Sequence, residues 1–293
     1  MLERSVELDP SYAPAWIALS QRYYNEGSFS DGGQRAIDRS QAAAERAFAL
    51  DPHLPEVYRR LTILLVEGGD LNAAYDKVAD LLRRRPDSAD AHFSMSYVLR
   101  YAGLLEESSA ECDTARRLDP RNHRMWRSCA FSFMRLGRFD RAWDYLDADG
   151  GSVFARNHSI QLLLRQGRTA EAREVARGLG TELYSRAVLA ALENRPRGEV
   201  GAFVNAEIPA LMSIRDSEPK FWAASDFAHV GYPDVSLRLL KRAVEQNFCG
   251  YPAIDRDPLL VSIRKTPEFA EIRRAGMACQ QRFIAHRDAA KIR

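Results

Sequence analysis

The sequence predicts an all-α protein, a right-handed α-solenoid of helix-turn-helix repeats. A proline that follows a helical stretch recurs at Pro10, Pro52, Pro86 and Pro120, at spacings of 42, 34 and 34 residues. Proline lacks an amide hydrogen and disfavours helical dihedrals in the residue before it, so it ends a helix sharply. A period near 34 residues, closed by a proline, is typical of stacked helix pairs.

A second regular feature is a glycine near the middle of each unit, where the first helix of a pair should end. These glycines are Gly27, Gly69, Gly103, Gly137 and Gly167. The end of a helix favours the left-handed conformation, which glycine adopts without a steric penalty. We therefore expect helix pairs over 14–49, 55–83, 89–118, 123–147 and 153–178.

The pattern weakens after residue 150 but continues. We expect two helices over 181–194 and 199–215, a last pair on either side of Gly231, and a final helix over 267–286. Ser88 and Asn122 precede predicted helices and are suitable N-cap residues.

Apolar and small residues recur at helical spacing within each unit. In the unit 89–122 they are His92, Met95, Ser96 and Leu99, which lie three, one and three residues apart and so share one helix face. With the alanines and prolines that follow, this pattern resembles the tetratricopeptide repeat. The resemblance implies regular repeats over 1–156, the first truncated and the second with a long second helix. It implies degenerate repeats of the same solenoid over 153–246 and a capping segment over 247–293.

Both ends of the chain carry expectations of their own. The segment Asp257–Leu260, with Arg264, Pro267 and Phe269, resembles the end of the tetratricopeptide region of bacterial multidomain signalling proteins, and we expect it to form a C-terminal cap. Met1–Leu8 has the pattern of a second helix whose first helix is missing. Its apolar residues Leu2, Val6 and Leu8 should therefore fray or pack on another chain.

Composition excludes several classes of function. The formal net charge is only +2, which indicates no general affinity for nucleic acid or membranes. Four scattered cysteines are too few for a disulfide framework, so we expect reduced thiols in a cytoplasmic protein. No phosphate loop, dinucleotide motif or zinc-protease motif is present. We expect no catalytic residues, no cofactor and no metal.

The remaining candidate is a surface. In the tetratricopeptide family the first helix of each pair lines the concave face of the solenoid. The residues here that match those positions, called the concave stripe below, are arginines, aromatics and a glutamine: Tyr24, Arg59, Phe93, Tyr97, Arg100, Tyr101, Arg127, Phe131, Arg135, Gln161 and Arg165.

Exposed aromatics among arginines are typical of binding surfaces. We expect a non-catalytic protein-protein interaction module that binds an extended or helical, acidic segment of another protein, as the regulatory region of a bacterial signalling protein. In this interpretation Tyr97 and Phe131 are partly exposed. In the other interpretation the aromatics pack on neighbouring repeats and the arginines pair with internal carboxylates. Two further functions stay open: an RNA-binding helical-repeat array, and a homo-oligomeric scaffold that dimerises through an open terminal repeat.

Overall fold

The computed structural model describes residues 1–30, 32–178 and 185–292. These residues form seventeen α-helices and one short 3-10 helix, with no β-strand among them. The all-α solenoid predicted from the repeat period is confirmed.

The repeats are preceded by one short helix and form five consecutive helix pairs. In chain order the helices are α1 (Leu2–Leu8), then the pairs α2 (Ala13–Phe29) and α3 (Gly33–Leu50), α4 (Pro55–Glu67) and α5 (Leu71–Arg84), α6 (Ala89–Tyr101) and α7 (Leu105–Leu118), α8 (His123–Arg135) and α9 (Phe139–Asp147), α10 (Val153–Arg165) and α11 (Thr169–Arg177). The outer ends of each pair agree with the predicted ranges to within one residue.

The C-terminal part continues with less regular helices. They are α12 (Arg186–Leu192), α13 (Arg197–Ser213), α14 (Glu218–His229), α15 (Pro233–Glu245), α16 (Tyr251–Arg256), a 3-10 helix (Pro258–Leu260) and α17 (Pro267–Ile292). The first four residues of the helix predicted over 181–194 lie outside the described residues. The final helix extends beyond the predicted residue 286 to Ile292.

Local signals explain most helix ends. Ser88 caps α6 as predicted, because its side-chain oxygen accepts a hydrogen bond from the amide of Ala91 at 3.3 Å. Asn122 occupies the predicted N-cap position of α8, but its side chain makes no capping hydrogen bond. Gly103 adopts a φ of 76° after α6, and a Cβ there would lie 2.7 Å from the main-chain oxygen of Cys249. Gly27 differs from the expectation because α2 continues past it to Phe29.

The C-terminal helices fold back onto the early repeats. One core cluster joins residues from Val66 in α4 to Phe283 in α17. At its edge the side-chain amide of Gln280 donates to the carbonyl oxygen of Ala102 at 3.2 Å, and Arg287 pairs with Glu107 at 2.8 Å. The segment expected to cap the last repeat therefore also contacts the second and third helix pairs.

The N-terminal helix packs on its own chain. Val6 of α1 is buried in a small cluster with Leu19 and Tyr23 of α2. The expectation that it would fray or need another chain is therefore wrong for Val6, whereas Leu8 is 71% exposed.

The cysteines form two disulfides, so the expectation of reduced thiols is wrong for this structure. Cys112 of α7 bonds Cys129 of α8, and Cys249 bonds Cys279 of α17. Their Cα atoms lie 5.8 and 5.1 Å apart, within the range that a disulfide spans. Residues distant in sequence meet because adjacent helices bring them together. None of the described helices combines the length and the apolar character needed to cross a bilayer.

Candidate interaction surface

The concave stripe lies on the first helices of the five pairs, as the resemblance implied, but most of it is not open. Tyr24, Arg59 and Arg127 are half-buried. The other eight members of the stripe are buried: Phe93, Tyr97, Arg100, Tyr101, Phe131, Arg135, Gln161 and Arg165. Tyr97 is 8% exposed and Phe131 only 4%, so the expectation that these aromatics are partly exposed is wrong.

Helix α14 of the same chain covers the stripe, and its first residue makes the strongest contact. Arg100 donates to the carboxylate of Glu218 through Nε at 2.9 Å and Nη2 at 3.0 Å. Arg135 donates to the same carboxylate at 2.6 Å. Burial disfavours the charged carboxyl, but the two guanidinium groups outweigh burial and lower the pKa of Glu218. The carboxylate is therefore ionised and bound from two sides.

Two more contacts follow along the same face of α14. The ring of Trp222 stacks on Phe131 with 4.7 Å between centroids. Gln161 donates from its amide nitrogen to Asp226 at 2.6 Å. Glu218, Trp222 and Asp226 are four residues apart, so they project from one side of the helix. An acidic and aromatic face of α14 thus meets an arginine and aromatic face of the repeats.

Carboxylates and tyrosines fill the space beside this contact. Glu67 accepts hydrogen bonds from the hydroxyls of Tyr24 at 2.7 Å and Tyr97 at 3.0 Å. Tyr101 donates to Asp216 at 2.9 Å. Burial raises the pKa of Glu67 to about 6 and holds that of Asp216 well above its usual value, so these carboxyls resist ionisation.

The remaining arginines of the stripe also have partners within the chain. Arg165 pairs with Asp257 at 2.6 Å, which ties the stripe to the 3-10 helix of the C-terminal segment. Arg59 pairs with Asp90 at 2.8 Å and Arg127 with Asp149 at 3.4 Å. All five arginines of the stripe thus pair with carboxylates of the same chain, which agrees with the second interpretation of the sequence.

Polar atoms at the contact with α14 are incompletely satisfied. Within the described part of the chain, Nη1 of Arg135, Nδ1 of His158 and Nε1 of Trp222 are buried without a hydrogen-bond partner. Burial also lowers the pKa of His158 to about 3, so its imidazole is neutral. A buried polar atom left without a partner costs about 1–3 kcal/mol. The fit between α14 and the stripe is therefore strong at Glu218 and imperfect around Trp222.

Comparison with known proteins bears on the fold. No model of a known protein family matches the sequence. A thermophilic TPR protein of Thermus thermophilus is 20% identical, with a TM-score of 0.50, over 66% of this chain and 98% of that one. The APC/C hetero-tetramer Cut9–Hcn1 gives 15% identity and a TM-score of 0.56 over 96% of this chain and 56% of that one. The fold is tetratricopeptide-like.

A third structure extends the comparison without changing that conclusion. The human IFIT1 dimer with m7Gppp-AAAA is 12% identical, with a TM-score of 0.54, over 84% of this chain and 66% of that one. At such identities the similarity establishes the tetratricopeptide-like fold and nothing about function. Among the described residues no group of three His, Cys, Asp or Glu side chains is placed to hold a metal ion.

The residues that sequence reasoning missed lie in the degenerate part of the tetratricopeptide-like solenoid. Glu218, Trp222 and Asp226 carry a usable signal, since acidic and aromatic residues at four-residue spacing complement a stripe of arginines and aromatics. Asp257, the partner of Arg165, carries no such signal, because it lies between α16 and the 3-10 helix and does not repeat at helical spacing on one face.

Proposed function

We propose that this chain is a non-catalytic protein-interaction module whose concave stripe recognises an acidic helical segment, and that α14 is an internal occupant of that stripe. The observation that carries the proposal is the convergence of Arg100 and Arg135 on the carboxylate of Glu218. Arginine binds a carboxylate through parallel, charge-assisted hydrogen bonds, which provide both affinity and orientation. In this proposal a partner helix replaces α14, and the chain is the regulatory region of a bacterial signalling protein.

The way α14 contacts the stripe supports this interpretation. Its contacts come from one helical face, at Glu218, Trp222 and Asp226, as when an amphipathic helix lies in a groove. The helix also supplies Phe221 and Phe227 to the main core, and the Phe221 ring lies against the guanidinium of Arg135 at 5.1 Å. A helix held in this manner can be exchanged for another that carries the same three groups.

The energetic balance also favours exchange. A buried ion pair gains little net free energy, because desolvation of both charges offsets their attraction. Exchange of one carboxylate for another keeps Arg100 and Arg135 paired and so avoids the large penalty of an unpaired buried charge. A partner that also satisfied Nη1 of Arg135 or Nδ1 of His158 would gain what α14 lacks.

A peptide exchange experiment tests the proposal. The probe is a rhodamine-labelled peptide of residues 214–229, and fluorescence anisotropy measures its binding to the full chain. Glu218→Gln weakens the internal contact, and we expect this variant to bind the peptide at least about tenfold more tightly than the unaltered chain does. Glu199→Gln, at a surface ion pair with Arg195, is the matched control and should bind like the unaltered chain. A peptide with Gln in place of Glu218 should bind neither the unaltered chain nor the Glu218→Gln variant.

Hydrogen exchange of the unaltered chain provides an independent measurement. If α14 opens as a unit, its amides will exchange at a lower free energy than those of α6 and α8. If the amide hydrogens of α14 exchange with solvent only when the whole chain unfolds, and no variant binds the peptide, the stripe is part of the core. The scaffold function then replaces the groove function, as the burial of the stripe would also allow.

RNA binding is an outcome that the same assay detects. The human IFIT1 structure was determined with m7Gppp-AAAA, but it shares only the fold with this chain. A labelled single-stranded RNA replaces the peptide, and its affinity is measured as salt rises. RNA binding falls by orders of magnitude with salt, since each phosphate contact releases counterions. Peptide binding at two arginines should fall only gently.

A further inference from the structure

A separate cleft lies between α11, α12 and α13. Its volume is about 420 Å³, and the described residues that line it include four arginines and one glutamate. This volume is in the range of sites that bind small molecules or side chains of a partner. None of the residues that line it belongs to the concave stripe.

Two of the lining arginines have no acidic partner in the described part of the chain. Arg177 pairs with Glu174 at 2.6 Å, and Arg195 pairs with Glu199 at 2.7 Å. In contrast, Arg173 donates only to the main-chain carbonyl oxygen of Leu192. Arg186 is exposed, and within the described residues it forms no hydrogen bond or ion pair. Among the residues that the structure describes, the cleft therefore holds two guanidinium groups that form no ion pair.

The floor of the cleft is apolar. Leu189 and Leu192 of α12 are buried there, and Phe203 of α13 is half-buried. Helix α13 continues this apolar surface, because Ala206 and Ala210 lie three and seven residues after Phe203, share its helix face and are exposed. Unpaired cations beside an apolar floor require a ligand that has both an anionic and an apolar part.

We propose that this cleft binds a segment of another protein in which carboxylate side chains flank apolar residues. Arg173 and Arg186 would bind the carboxylates through charge-assisted hydrogen bonds, and the apolar side chains would rest on Leu189, Leu192 and Phe203. A simple inorganic anion would make no favourable contact with the apolar floor. A nucleic acid strand needs cations at repeated intervals along its path, whereas this cleft offers Arg173 and Arg186 beside an apolar floor.

The test uses the full chain and a defined probe, the rhodamine-labelled peptide acetyl-Glu-Asp-Leu-Phe-Asp-Glu. Fluorescence anisotropy should show saturable binding with a dissociation constant below about 1 mM. Arg186→Gln should weaken binding about tenfold, the factor expected for a lost hydrogen bond to a charged group. Because Arg186 forms no hydrogen bond or ion pair within the described residues, this variant should unfold at the same urea concentration as the parent. Arg238→Gln, at an exposed arginine of α15, is the matched control and should bind normally.

Two altered peptides separate the parts of the ligand. Replacement of the acids by Gln and Asn, or of Leu-Phe by Ser-Gly, should each weaken binding at least about tenfold. The proposal is overturned if the Ser-Gly peptide binds equally well and inorganic phosphate displaces it at matched ionic strength, which would make the cleft an anion site. It is also overturned if the probe does not bind, or if Arg186→Gln has no more effect than Arg238→Gln. The stripe plays no part in this test, so its failure leaves the proposed function unaffected.

Discussion

Arg100 and Glu218 are 118 positions apart in the chain and form a two-point ion pair, with donor–acceptor distances of 2.9 and 3.0 Å. Both side chains are nearly inaccessible, at 2% and 3% exposure. The pair joins α6, which carries part of the concave stripe, to α14, which packs over it. Its strength therefore bears on the stability of the fold and on the proposed exchange of α14.

Arg100, Arg135 and Glu218 form one buried ion cluster. Removal of one member should lower the free energy of unfolding far more than replacement of all three. Glu218→Ala leaves Arg100 and Arg135 buried without a counter-charge, and we expect the free energy of unfolding to fall by about 3–5 kcal/mol. The combined change of Arg100, Arg135 and Glu218 to Met should cost much less, because no buried charge remains. Urea unfolding followed by circular dichroism measures both.

The control for this prediction is a surface ion pair of the same chemistry. Glu199→Ala breaks the ion pair with Arg195, in which the side chains of Arg195 and Glu199 are 49% and 39% exposed. This change should alter the unfolding free energy by less than about 1 kcal/mol. Equal effects of Glu218→Ala and Glu199→Ala would show that the buried cluster is not formed in solution.

Glu67 should make stability depend on pH in a defined window. Burial raises its pKa from the ordinary value of 4.5 to about 6 in the folded state. A raised folded-state pKa contributes stability that is fully present below the unfolded value and lost as pH rises through the folded value. From pH 4.5 to 6.5 the unaltered chain should therefore lose about 1.5 kcal/mol of stability relative to Glu67→Gln.

Urea unfolding at half-unit intervals from pH 4.5 to 6.5 measures this difference. Glu45→Gln, at an exposed glutamate of α3, should follow the unaltered chain throughout. A constant difference between the unaltered chain and Glu67→Gln across the window would mean that the pKa of Glu67 is the same in the folded and unfolded states.

The repeats were predictable because their signals are local. A proline such as Pro120 and a glycine such as Gly103 act on the helix beside them, so the ends of α6 and α7 follow from a few neighbouring residues. The position of Arg100 and Arg135 on one face also follows from helical spacing. These parts of the prediction needed no information about distant residues.

The burial of the stripe was not predictable in the same way. It depends on where α14 folds back, and no local pattern determines the path of a degenerate repeat. The cysteines show the same limit, because Cys249 and Cys279 meet only after α17 has packed on the rest of the chain. Sequence reasoning could identify complementary faces, one rich in arginine and one carrying Glu218, but could not assign them to each other.

Trp126 should contribute more to stability than any polar residue of the stripe does on its own. It is fully buried at the repeat position for a large aromatic, and it packs edge-on against Tyr145 with 6.1 Å between centroids. Trp126→Ala should lower the unfolding free energy by about 3–5 kcal/mol because it leaves a cavity. Trp126→Phe should cost clearly less, since Nε1 of Trp126 has no hydrogen-bond partner to lose. Urea unfolding compares the two, and equal losses would contradict this account.

The two disulfides should differ in their response to a mild reductant. Cys112 and Cys129 are completely buried, at 0% exposure, whereas Cys249 and Cys279 are 2% and 4% exposed and line a cleft of about 390 Å³ beside Gly69. A thiolate must reach a sulfur atom to reduce a disulfide, so access decides the order of reduction. Under native conditions, dithiothreitol followed by alkylation should label Cys249 and Cys279 first, as peptide mass spectrometry can show.

The same experiment has a control and a contrary outcome. In urea above the unfolding midpoint all four cysteines should be labelled together, which shows that access and not chemistry sets the order. Loss of the Cys112–Cys129 bond, which closes a separation of 17 residues, should then cost about 3 kcal/mol of stability by the chain-entropy estimate. If the protein is isolated under alkylating conditions with four free thiols, the cysteines pack as reduced side chains, as its composition predicted. In that case the close approach of each pair reflects helix packing alone, and neither bond contributes to the closure of α17 on the repeats.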